Sequence, residues 1–201
     1  MMVIDQVHDL QKVYRKILHS MSRPGTITSF EQKADSISKS LPCNEAVFLC
    51  ALTLFDAEVT FHIIGEQEKS ERLAELISSY TMSNKAPHDQ ADFIIALQGN
   101  LTKEIEKAMN VCKSGDLINP QNSATWILES VLISNQSGVT LTGPGIEREA
   151  LLQTGYDEHF WMARNLRTKE YPLGIDCIFA DFSNQIACVP RTTKMVATEV
   201  I

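Results

Sequence analysis

Arg191 is the residue whose type and setting best suit chemistry. It follows Pro190 at the end of an apolar segment and precedes two hydroxyls, Thr192 and Thr193. A forked guanidinium beside two hydroxyl donors suits a phosphate or a carboxylate. An arginine so placed either binds an anion or pairs a neighbouring acid at an ordinary strand exit, and the spacing allows both. Three other Gly/Pro islands share the pattern of an apolar segment turning sharply into polar residues: Met21-Ser22-Arg23-Pro24-Gly25, Leu141-Thr142-Gly143-Pro144-Gly145-Ile146 and Tyr171-Pro172-Leu173-Gly174-Ile175-Asp176. Glycine supplies positive φ or close backbone approach there, and proline fixes φ and removes a donor. Arg15, upstream of the first island, is a further cation beside an apolar stripe.

Other chemistries find little footing. No glycine begins a G-x-x-x-x-G-K-[ST] phosphate loop. Gly143-Pro144-Gly145 opens like a dinucleotide fingerprint, but Arg148 stands where the third glycine belongs and Pro144 lacks an amide hydrogen, so a turn is the better reading. His8, His19, His62, His88 and His159 occur singly, without i,i+4 or H-x-H spacing for a metal. Cys43, Cys50, Cys112, Cys177 and Cys188 contain no C-x-x-C pair, so they read as small buried hydrophobes. Ser36-Ile37-Ser38-Lys39 matches S-x-x-K without that hydrolase class's partner motifs and is discarded. No catalytic residue, metal site or cofactor is assigned.

A formal net charge of −7 over 201 residues argues against a nucleic-acid partner. No apolar run approaches the ~20 residues that span a bilayer, and the first ten residues lack the form of a secretory signal. No membrane and a cytoplasmic location are therefore expected.

The elements that must position these islands read as alternating helices and strands. Val7, Leu10, Tyr14, Ile17 and Met21 form one apolar stripe, so a helix is expected with Asp5 as N-cap and Pro24-Gly25 as its stop. Residues 26–30 suggest a short strand, and Asp35 to Pro42 a loop before a helix from Asn44 to Phe55. Val59–Ile64 and Asp92–Leu97 read as strands, while Gln67–Tyr80 and Lys103–Val111 read as helices. Strands are expected in Ser123–Ser134 and Val139–Leu141, separated by a turn at Asn135-Gln136-Ser137-Gly138, then a helix from Asp157 to Lys169 and a hairpin. A turn at Asp181–Asn184 sets Cys177 opposite Cys188, Phe179 opposite Ile186 and Ile175 opposite Pro190, with Asp176 on the other face. The expectation is one α/β domain, residues 1–201.

In their order the four islands resemble the PhnH family, a subunit of the bacterial carbon-phosphorus lyase machinery for phosphonate use. Tyr14-Arg15-Lys16-Ile17-Leu18-His19-Ser20-Met21-Ser22-Arg23-Pro24-Gly25 is similar to that family's F-R-x-L-L-x-A-M-S-x-P-G, with Tyr14 for Phe and Ser20 for Ala. Leu141 to Ile146 resembles L-T-G-x-G-I, and the last two islands resemble F-P-L-G-I-D and P-R-T-T. Residues 31–120 carry few recognisable motif positions.

The resemblance implies an α/β sandwich with a mixed sheet, similar to pyridoxal-phosphate-dependent transferases but without that cofactor. It implies a homodimer in isolation and, as partners, other carbon-phosphorus lyase core subunits. With them the family is needed to displace adenine from ATP by a phosphonate, giving a ribose 1-phosphonate 5-triphosphate. The radical cleavage of the C–P bond belongs to a different, iron-sulfur subunit, and scattered cysteines fit that division. The candidate anion or partner contacts are Arg15, Ser22, Thr142, Gly143, Gly145, Asp176, Arg191, Thr192 and Thr193. The alternative is a stand-alone transferase or phosphate-binding protein with its own pocket.

Overall fold

Apolar runs without polar alternation, such as 126–128 and 177–180, need cover on both faces of a sheet. The computed structural model, which describes residues 7–30, 41–99 and 102–196, provides it. Its elements are α1 (His8–Ser22), β1 (Thr28–Ser29), α2 (Glu45–Leu54), β2 (Thr60–Ile64), α3 (Gln67–Thr81), β3 (Asn84–Lys85), β4 (Phe93–Ala96) and α4 (Thr102–Val111), then β5 (Thr125–Ser130), β6 (Ser134–Thr142), β7 (Ala150–Gln153), α5 (Glu158–Arg167), β8 (Asp176–Asp181), β9 (Gln185–Val189) and β10 (Lys194–Val196). Seven strands make a mixed sheet in the order β1-β9-β8-β5-β4-β2-β3, and β10-β6-β7 make a second, antiparallel sheet. Neighbours from β3 to β8 are parallel, whereas β9 runs antiparallel to both β8 and β1.

Alternate residues of the central strands feed two cores. Ile95, Ile127 and Ile178 meet Ile17 of α1, Phe48 of α2 and Ile77 of α3. Trp126, Cys177 and Phe179 meet Met109 of α4, Trp161 of α5 and Leu141 and Leu152 of the small sheet. Side chains start two of the helices: Asn44 Oδ1 accepts from Val47 N at 2.8 Å, and Asp157 Oδ1 from Phe160 N at 3.0 Å.

The helices and the strands at 60–64 and 93–96 lie where the pattern predicts, and four details differ. On α1 the buried residues are Val13, Ile17 and Ser20, while Val7 and Tyr14 are exposed and Leu10 packs only at the core's margin. The helix turns Ser20 inward because its Oγ accepts from Cys188 N at 2.9 Å and donates to the Thr26 carbonyl at 3.0 Å. Asp5, the expected cap, and residues 35–40 of the expected loop lie outside the described residues.

The turn expected at 135–138 is instead an irregularity inside β6, whose register with β7 shifts between Ser134 and Val139. Its polar residues face strand partners: Asn135 Nδ2 donates to Leu151 O at 2.6 Å and Gly25 O at 2.9 Å, and the Ser134 and Ser137 hydroxyls to Gln153 Oε1. The short strands β3, β7 and β10 lie outside the predicted elements.

The final hairpin is one residue out of the expected register. Cys177 pairs with Val189, Ile178 with Cys188 and Phe179 with Ala187, so Cys177 and Cys188 sit on opposite faces of the sheet. The cause is Asp181, which stays in β8 and accepts from the amides of Ser183 and Gln185 at 2.9 Å each, while Asn184 takes the left-handed conformation at φ +57°. The loop is therefore Phe182–Asn184. Because both faces of this hairpin are buried, apolarity alone cannot choose its register.

Candidate functional site

The β8–β9 hairpin returns the chain so that Asp176, first in β8, meets Arg191, two residues past β9. Arg191 gives its backbone N–H to Asp176 Oδ1 at 2.8 Å, and its Nε lies 3.3 and 3.2 Å from the two carboxylate oxygens. Its Nη2 donates to Asp176 Oδ2 and Ser123 Oγ, both at 2.5 Å, and its Nη1 donates to Pro120 O at 2.7 Å. The guanidinium is thus neutralised and largely committed within the chain.

A second arginine holds the same turn from inside. Arg164 of α5 is fully buried, its Nη1 donating to Thr193 O and its Nη2 to Pro190 O, each at 2.6 Å. Burial pushes its basicity down, partly countered by Cys177 and Asp176. No acid pairs with it among the described residues; backbone carbonyls carry the interaction. Three- and four-residue steps from Trp161 and Phe160 put Arg164 on the apolar stripe of α5, a signal that could have singled it out.

The remaining islands assemble around this turn through bare backbone. A Cβ on Gly143 would lie 3.0 Å from Thr192 O, and one on Gly145 only 2.3 Å from Ser22 O. Gly174 lies against Arg191 and Thr168 in the same way. Thr142 pairs with Lys194 across β6 and β10. Ser22, Thr142, Gly143, Gly145, Asp176, Arg191, Thr192 and Thr193 are therefore gathered into one contiguous cluster. Arg15 is exposed on α1 and takes no part in these contacts; Ser22 itself is exposed, its Oγ donating to His19 O at 2.9 Å.

This cluster sits where the parallel strand β8 begins. The opposite edge, where parallel strands end, is where open α/β sheets usually bind ligands. There the chain narrows the crevice with its own polar groups to a cavity of about 110 Å³, lined by Gln98, Gly99, Thr102, Tyr156 and Asp157 among others. Glu129, 4% exposed, accepts from Asn44 N at 2.5 Å and from Gln98 N at 2.8 Å, and its carbonyl accepts from Gln98 Nε2 and Tyr156 Oη. Burial and, after it, the Glu129 charge push both the Tyr156 phenol and the Cys43 thiol well above their ordinary ranges. Glu129 lies in an otherwise apolar run, and no motif in the sequence marks it.

Residues 2–196 match the family described as bacterial phosphonate metabolism protein (PhnH). The chain belongs to the PhnH family. It is also similar to a Stutzerimonas stutzeri protein named "Putative C-P lyase subunit protein HtxG", 28% identical over 186 residues that cover 92% of this chain and 85% of that one. Among the described residues of this PhnH chain no helix is long and apolar enough to cross a membrane. Among them, too, no group of three or more His, Cys, Asp or Glu residues is placed to hold a metal ion.

Proposed function

We propose that this PhnH chain is a subunit of a carbon-phosphorus lyase assembly that, with partner subunits, supports displacement of adenine from ATP by a phosphonate. A phosphonate oxygen forms the new bond to C1′ of the ribose, the C1′–N9 bond breaks, and adenine leaves with a proton, giving ribose 1-phosphonate 5-triphosphate. The observation that carries this reading is the family match over residues 2–196. The named relative supports the subunit role.

Three structural features favour a part that acts with others. Arg191, the strongest anion candidate of the sequence, is already paired with Asp176. All five cysteines are buried with thiols pushed above their usual range, first by burial, so none is poised as a nucleophile. Exposed Val131, Leu132 and Phe182 at one end and Leu117, Ile118 and Tyr171 elsewhere offer apolar contacts for a second copy and for other core subunits. The reading includes a fold like that of pyridoxal-phosphate-dependent transferases without their cofactor, and a cytoplasmic assembly.

The test is reconstitution of purified subunits with ATP and methylphosphonate, following adenine by chromatography. Adenine should appear with the full set and vanish when this chain is omitted. Release by this chain alone, or an undiminished rate without it, would overturn the reading.

A further inference from the structure

Beside the Arg191 turn lies a cleft of about 710 Å³, walled by the residues after α5, the 191–195 segment and Pro144. Among the described residues its charged lining is Lys169, Arg191 and Lys194, with no carboxylate. In a chain of net charge −7 this is a local reversal of sign, and concave cationic surfaces concentrate anions. Asp176 neutralises Arg191, but Lys169 and Lys194 are exposed and have no acid partner among the described residues. Thr193 lines the same cleft, is 1% exposed, and its buried Oγ1 has no hydrogen-bonding partner. A buried hydroxyl left unpaired is uncommon, and a rotation of the side chain towards the cleft would let a bound oxyanion satisfy it.

The C-terminal end of α5 opens towards this cleft, and carbonyl ends of helices repel anions. Here that field is offset by Arg164 and Arg167 in the last turn, and Thr168 Oγ1 lies 3.4 Å from the carbonyls of Arg164 and Asn165. The volume exceeds what a single phosphate would fill and lies in the range of small-molecule sites. Tyr171, 75% exposed, adds an aromatic face to the lining.

We infer that this cleft binds a triphosphate chain, with Lys169 and Lys194 as its charge contacts and the Thr193 hydroxyl as a donor. The choice of ATP as its carrier rests on the function proposed above; the anion site itself rests on the cleft. The full-length chain is titrated by calorimetry at low salt, where exposed charges are least screened, with ATP, inorganic tripolyphosphate and adenosine. ATP and tripolyphosphate should both bind and adenosine should not. The Lys169→Ala/Lys194→Ala double variant should weaken both by about tenfold or more with an unchanged melting temperature, and the Lys→Arg pair should retain them. No binding of either polyphosphate up to about 1 mM, binding indifferent to the lysines, or adenosine binding as tightly as ATP overturns the inference. Because binding is read on the chain without partners and adenine release on the assembly, either reading can fail while the other stands.

Discussion

Gly145 rests against Ser22 so closely that a Cβ on it would lie 2.3 Å from the Ser22 carbonyl oxygen. This contact ties the turn after β6 to the end of α1, two segments more than a hundred residues apart. Gly145 also has φ +83°, so any side chain is strained before it clashes. Gly145→Ala should lower stability by roughly 2–4 kcal/mol in chemical denaturation. Gly155→Ala, with φ +79° but nothing within 4 Å, carries the strain alone and should lose about 1 kcal/mol. Equal losses would show that the close approach to Ser22 is not what constrains residue 145.

Arg191→Lys keeps the charge but loses the fork that reaches Asp176, Ser123 and Pro120 together. A loss of about 1–3 kcal/mol in stability is expected, read as a lower melting temperature. Unchanged melting with weakened activity of the assembly would instead make Arg191 a ligand contact.

Arg164→Met removes a buried cation and leaves the Pro190 and Thr193 carbonyls without their donors. Stability should fall by about 3 kcal/mol or more, with the 190–196 segment gaining the most hydrogen exchange. A variant as stable as the parent would show that hydrophobic packing alone can hold this turn.

The thiols should be silent in the native protein. Burial pushes Cys177 and Cys188 up to about 12, and the two lie on opposite faces of the sheet, so neither ionises readily nor bridges the other. Ellman's reagent at pH 8 should label none of the five quickly and all five after denaturation. A fast-reacting thiol in the folded chain contradicts this.

Asp92 supplies a pH dependence. Burial pushes its carboxyl up, but the Lys113 ion pair and hydrogen bonds from Thr60 outweigh it, and it ends below 3.8. A carboxylate depressed in the folded state adds stability above its unfolded value and loses it as pH falls through the folded one. Asp92→Asn should therefore melt lower than the parent at pH 7, with the gap narrowing as pH drops below about 4. A gap independent of pH would show that the charge is not involved.

How much of this was legible depends on where the deciding interactions lie. α3 and α5 were readable because their signal, an apolar period, is local. β7 and β10 were not, since four- and three-residue strands carry little period of their own and exist through pairing with β6. The hairpin register turned on one carboxylate, Asp181, capping its own loop, which no count of apolar residues reports. Of the cluster, the island residues stood out by their Gly and Pro, whereas Arg164 did not, since its partners are backbone carbonyls of a distant turn and its residue type so seldom lies wholly buried.

The pairing of β1 with β9, Thr28 opposite Ile186, bears on how the chain is made. Thr28–Ser29 leaves the ribosome long before β9 and joins the large sheet only through that strand. Cys188 N, which Ser20 Oγ receives, arrives equally late. Until β9 is made, the Ser20 side of α1 lacks its strand partner, although α2 already packs beside Ile17, and the sheet's β1 edge closes only when the β8–β9 hairpin is released. A chain that stalls or is truncated before residue 185 leaves that surface open to solvent and to other nascent chains.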